Sequence, residues 1–70
     1  MATRPFPSFL IYIDGAGEYR WHYQASNTKI IADSGEGYKR REDCERGIEI
    51  MQQSANAEVW ETQAVTDRRR

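Results

Sequence analysis

Seventy residues, 39% hydrophobic and 30% charged, describe one small globular domain with a lean core. A net charge of −1 gives no global field for nucleic acid or acidic lipid, and a single cysteine excludes an internal disulfide. No run approaches the ~20 apolar residues of a membrane span, no charged-then-apolar leader opens the chain, and no Cys/His cluster has metal-ligand spacing.

Residues 1–7 contain Pro5 and Pro7, which cannot donate to a β-ladder, so a flexible, extended arm is expected. Ser8 to Asp14 alternates as a first strand. Phe9, Ile11 and Ile13 share one face, and Leu10 and Tyr12 share the other. Asp14-Gly15-Ala16-Gly17 is a turn signal. A three- or five-residue loop brings Phe9, Ile11 and Ile13 onto the face of Tyr19, Trp21 and Tyr23. An even-numbered loop would set Ile11 opposite Arg20 and turn the best core residues to water, so the odd loop is expected.

Tyr19, Trp21, Tyr23 and Ala25 alternate with Arg20, His22 and Gln24 as a second, half-buried strand. Asn27-Thr28 reads as a two-residue hairpin loop, because Asn tolerates left-handed backbone. Lys29 to Asp33 is then a third strand, in a register that pairs Ala25 with Ile30, Gln24 with Ile31, Tyr23 with Ala32 and His22 with Asp33. Ser34-Gly35-Glu36-Gly37 is a glycine-rich corner.

Arg40 to Ala55 reads as a helix. Cys44, Ile48, Met51 and Ala55 form one apolar stripe, and Glu42 and Asp43 suit the N-terminal end of the dipole. Gly47 beside the stripe costs roughly 1 kcal/mol against alanine, which close approach to a sheet aromatic would offset. Asn56 is a plausible stop. Beyond it, Val59, Trp60, Thr62, Ala64 and Val65 allow a fourth strand over 58–66, or an arm that reaches a partner chain. Residues 67–70 read as a solvated, disordered tail.

The spaced residues Arg20-Trp21, Ala25-Ser26-Asn27, Ile30-Ile31-Ala32-Asp33-Ser34, Glu36-Gly37-Tyr38, Cys44 and Gly47-Ile48-Glu49 resemble the YegP-like family. These are small bacterial proteins classed as a domain of unknown function. The resemblance covers roughly Phe9 to Ala55, within a domain expected at 8–57. It implies a three-stranded antiparallel sheet with one helix across it, self-association for a single-copy member, and no established activity or catalytic residue. Thr28 stands where the family usually has Gly. Gly35 is an extra residue, and Lys39-Arg40 replaces the Ser or Thr that would cap the helix.

Each residue with chemical potential has a plainer explanation. His22 with Asp33 would suit a general base and its carboxylate. No nucleophile lies near them in sequence, so a cross-strand surface pair is expected. Cys44 near a helix N-terminus would suit a nucleophile, but it begins the apolar stripe and is expected in the core. Gly35-Glu36-Gly37 before a helix would suit a phosphate cradle, except that Glu36 repels phosphate. Tyr12, Arg20, Lys29 and the terminal arginines would suit single-stranded nucleic acid, except that Tyr19, Trp21 and Tyr23 point to the helix side.

Leu10, Tyr12 and Ile31 fall on the opposite sheet face, which one helix leaves uncovered. The reading is therefore an α+β domain, β-β-β-α. Its expected role is a non-enzymatic, cytoplasmic, homodimeric interaction module without cofactor, metal or membrane contact. The candidate interface is Leu10, Tyr12, Ile31, Val59 and Trp60, with His22 and Asp33 as the outer-face polar pair. The alternative is a small-molecule or single-stranded nucleic-acid binder that uses the sheet face or the dimer seam.

Overall fold

A computed structural model describes residues 3–68 of the chain. Strands β1 (Ser8–Ile13), β2 (Tyr19–Gln24) and β3 (Ile30–Asp33) form an antiparallel sheet in the order β1-β2-β3. Helix α1 (Arg41–Gln52) crosses one face, and a short helix α2 (Gln63–Asp67) follows. The architecture is the expected β-β-β-α. No fourth strand forms among the described residues. Instead, the Thr62 hydroxyl accepts from the Val65 amide at 3.4 Å and caps α2, so local capping wins over β propensity there. Asp67 thus belongs to α2, whereas Arg69 and Arg70, like Met1 and Ala2, lie outside the described residues.

The first hairpin has the odd loop. Ile13 pairs with Tyr19, Ile11 with Trp21 and Phe9 with Tyr23 across the five residues Asp14 to Glu18. Asp14 organises that loop. Its Oδ1 accepts from the amides of Ala16 at 2.9 Å and Glu18 at 3.0 Å, and Gly17 takes the left-handed conformation at φ +78°. Phe9 then meets Trp21 edge-on at 5.5 Å and Tyr23 at 5.1 Å, ring centroid to centroid.

The second hairpin differs from expectation in its loop. The Thr28 amide donates to Ala25 O at 2.8 Å and the Ala25 amide to Lys29 O at 2.9 Å. Ala25 therefore closes a loop of Ser26, Asn27 and Thr28, and faces Lys29 rather than Ile30. The left-handed residue is Thr28, at φ +68°, not Asn27. His22 with Asp33 and Tyr23 with Ala32 keep the expected partners, but Gln24 pairs with Ile30. Ile31 is the extra residue of a β-bulge, which absorbs the one-residue difference in loop length. A β-branched residue is strained at positive φ. Thr28→Gly should raise stability by about 0.5–1 kcal/mol, the left-handed penalty of an L-residue less the added chain entropy of glycine. A thermal melt checks this, and a lower midpoint would show that the Thr28 side chain contributes more than its backbone strain costs.

Past β3, the Ser34 amide donates to Trp21 O at 2.9 Å, and the chain loops out through Gly35 (φ +74°). It rejoins β2 at Tyr38, where Tyr19 and Tyr38 exchange backbone bonds of 2.7 and 2.8 Å. Arg40 is the N-cap of α1 and makes no side-chain cap bond. The helix ends at Gln52, three residues before Ala55. The Ser54 hydroxyl turns back onto Ile50 O, and the Gln53 and Ser54 amides close onto Ile50 O and Met51 O. Ala55 therefore leaves the apolar stripe, and Met51 stays 46% exposed.

The core centres on Trp21 and Cys44. Gly47 makes the aromatic approach that its place beside the stripe predicts. A Cβ there would lie 3.1 Å from Trp21 Nε1 and 3.2 Å from Tyr38 Oη. The two sheet edges are unlike. β1 presents six uncharged residues in regular register, while β3 is four residues long, bulged, preceded by Lys29 and ended by Asp33.

Candidate interaction surfaces

The sheet face away from α1 carries the even-numbered residues of β1 and β2. Register places Leu10, His22 and Asp33 in one row across the three strands, with Tyr12 and Arg20 paired in the next. Leu10 and Tyr12 are each 37% exposed and Ile31 is 66% exposed. The Tyr12 ring lies diagonally over His22 at 5.4 Å between centroids. The sheet therefore brings Leu10, Tyr12, His22 and Asp33 together, Ile31 is the unpaired bulge residue of β3, and Val59 and Trp60 stand apart beyond α1.

His22 and Asp33 are backbone partners whose side chains bond elsewhere. His22 Nε2 sits 3.2 Å from Gln24 Oε1, and Asp33 Oδ1 accepts from the Gly35 amide at 2.8 Å. Gln24 is the hub of that end of the face, since its Nε2 donates to Thr28 O at 2.7 Å and its Oε1 also accepts from Arg4. Arg4 also stacks over Phe6 at 4.8 Å, and its bond to Gln24 ties that segment to the sheet. At the other end Arg20 Nε donates to Asp14 Oδ2 at 2.6 Å. The Glu18 amide, then the Arg20 guanidinium, hold the Asp14 carboxyl below its ordinary value, and Asp14 in turn raises Arg20.

The groups with nucleophilic or phosphate-binding potential are used structurally. Cys44 is fully buried, and burial, with Glu45 adding to it, pushes its thiol above the ordinary value. Burial and the nearby Glu36 raise Tyr38 likewise. The corner glycines are committed. The Gly35 amide serves Asp33, and a Cβ on Gly37 would meet Glu18 Cβ at 2.9 Å. No group of three or more His, Cys, Asp or Glu side chains converges as a metal site among the described residues. No described helix is long and apolar enough to cross a membrane.

A second surface was not foreseen. Because α1 stops at Gln52, the Phe9 and Tyr23 end of the helix-side sheet face is open. A cleft of about 290 Å³ lies there, lined by Phe9, Trp21, Tyr23, Ala32, Met51 and Gln52. The signal for it was the helix length. A stripe ending at Met51 rather than Ala55 covers one turn less of the sheet. Beyond the cleft the chain leaves the domain as an arm. Val59 is 97% and Trp60 84% exposed, and Trp60 Nε1 donates to Glu58 Oε1 at 3.0 Å within the arm. The radius of gyration is 15.3 Å, with extents of 49 × 27 × 24 Å. About 11 Å would suit a compact domain of this length, so the molecule is elongated.

Comparison with known proteins gives a consistent result. Residues 14–61 match the family described as "Domain of unknown function (DUF1508)". A UPF0339 protein of Neisseria meningitidis serogroup B is 41% identical over 49 residues, covering 70% of this chain and 86% of that protein. A UPF0339 protein of Methanosarcina acetivorans is 42% identical over 52 residues, covering 73% and 88%. The solution NMR structure of a protein from Haloferax volcanii superposes with a TM-score of 0.70 at 38% identity, covering 79% of this chain and 93% of that one.

Proposed function

We propose, from the premise that this chain belongs to the DUF1508 family, that it is a non-enzymatic interaction module of the cytoplasm that works as a two-fold homodimer. The domain proper is residues 8–57, and 58–66 is its dimer arm. The observation that carries this reading is the exposure of Val59 and Trp60 on that arm, two large apolar side chains left in solvent in the single chain. Leu10, Tyr12 and Ile31 add a second apolar surface on the open sheet face. A small domain without disulfide or metal gains stability from a partner that covers such surface.

His22 and Cys44 support the non-enzymatic part. The first is engaged with Gln24, and the second is sealed under α1. Two-fold closure is the commonest solution for a self-complementary surface, and about 800 Å² per partner is the usual size of a specific interface. Sedimentation equilibrium at micromolar concentration is the test. The expected result is twice the chain mass, and a single species at 8.2 kDa would overturn the reading.

A further inference from the structure

We infer that the cleft at the C-terminal end of α1 is the seat of Trp60 from a second copy of the chain. This deepens the homodimer reading and rests on it. Each chain offers this open cleft and the projecting Trp60, so a reciprocal exchange about a two-fold axis fills both clefts and covers both rings.

The chemistry of the two parts matches. The cleft is walled by three aromatic rings, Ala32 and Met51, with Gln52 at its rim. Aromatic edges and a methionine sulfur are favourable neighbours for an indole. An apolar cleft receives an indole cheaply only when its N–H is already paired. Glu58 takes the Trp60 N–H at 3.0 Å inside the arm, so the ring arrives with that requirement met.

Geometry favours a second copy over the chain's own cleft. The arm departs from Met51 and Gln52, the residues that form one wall. It leaves the helix through the turn in which the Ala57 amide bonds Ser54 O at 3.0 Å. Past that turn, Ala57 to Trp60 reaches about 10 Å, and Trp60 stays 84% exposed rather than seated in its own chain's cleft. The ring is therefore presented to a neighbour. The family match also continues to residue 61, so the arm through Trp60 belongs to the matched unit.

The test is an isotope-filtered NMR experiment on a mixture of labelled and unlabelled full-length chains, combined with sedimentation of variants. Contacts between the Trp60 indole protons of one chain and Phe9, Tyr23 or Met51 of the other are expected. Trp60→Ala should weaken dimerisation at least tenfold, and its circular dichroism should stay that of the folded chain, because the ring is exposed in the single chain. Ala32→Phe, which fills the cleft, should weaken dimerisation in the same way. Trp60 contacts to the cleft that vanish in the filtered experiment would place the arm on its own chain and overturn the inference. So would a dimer whose affinity is unchanged by Trp60→Ala, although the homodimer reading would then stand. A chain that stays at 8.2 kDa at every concentration overturns both.

Discussion

Trp21→Ala is expected to leave the chain unfolded at 25 °C. Trp21 is 5% exposed, packs edge-on against Phe9, and fills the space that Gly47 leaves open in α1. Truncating a buried tryptophan costs about 3–5 kcal/mol. A chain of this length has a total stability of roughly 4–10 kcal/mol, and the lean core here, with Trp21 and Cys44 as its buried apolar residues, places it near the low end. Trp21→Phe is the graded control. Nε1 of Trp21 is buried without a hydrogen-bond partner, so phenylalanine keeps much of the ring packing and orphans no polar group. It should cost less than about half of the alanine variant's loss. Far-UV circular dichroism with a urea titration measures both. An alanine variant that melts near the parent would show that the sheet and helix are held together elsewhere.

Cys44→Ser should lower stability by about 1–3 kcal/mol, because it buries a hydroxyl without an assured partner. Cys44 has no solvent-accessible surface, and it sits at the end of α1 where the helix meets the sheet. The same burial makes the native thiol slow to react, through both access and the raised thiol pKa. Thiol labelling of the native chain should run far behind labelling in denaturant. Equal rates would take Cys44 out of the core and return it to consideration as a nucleophile.

The two hairpins show what could be read from residues and what could not. Phe9, Ile11 and Ile13 needed to share a face with Tyr19, Trp21 and Tyr23, and only an odd loop allows that. Burial therefore fixed the register of β1 on β2 before any loop geometry was known. No such constraint separates a two-residue loop from a three-residue loop plus a bulge. Both keep His22 opposite Asp33, and they differ in whether Asn27 or Thr28 goes left-handed. Threonine is a poor candidate on propensity, and the sheet overrides that preference.

The end of α1 was misplaced for a similar reason. Apolar spacing continues to Ala55, but the stop is set by Ser54 and the backbone amides around it, which periodicity does not see. The cleft follows from that stop, so it was hidden with it. The outer-face residues were legible because strict alternation along β1 and β2 separates two faces without reference to loops. The α2 segment was not, because Val65 and Thr66 favour a strand in isolation and the Thr62 cap decides otherwise.

The unlike edges of the sheet limit how large an assembly can grow by strand addition. β1 is regular, uncharged and open along its outer side, whereas β3 is short and kinked by its bulge, with charged residues at its ends. A strand that adds at β1 produces a wider sheet whose terminal strands are both of the guarded kind when the added strand is another β1. Polymerisation through backbone pairing then terminates at the first step. The Ile31 bulge, beyond reconciling two registers, leaves β3 without the straight, regular edge that fibrous growth by strand addition requires.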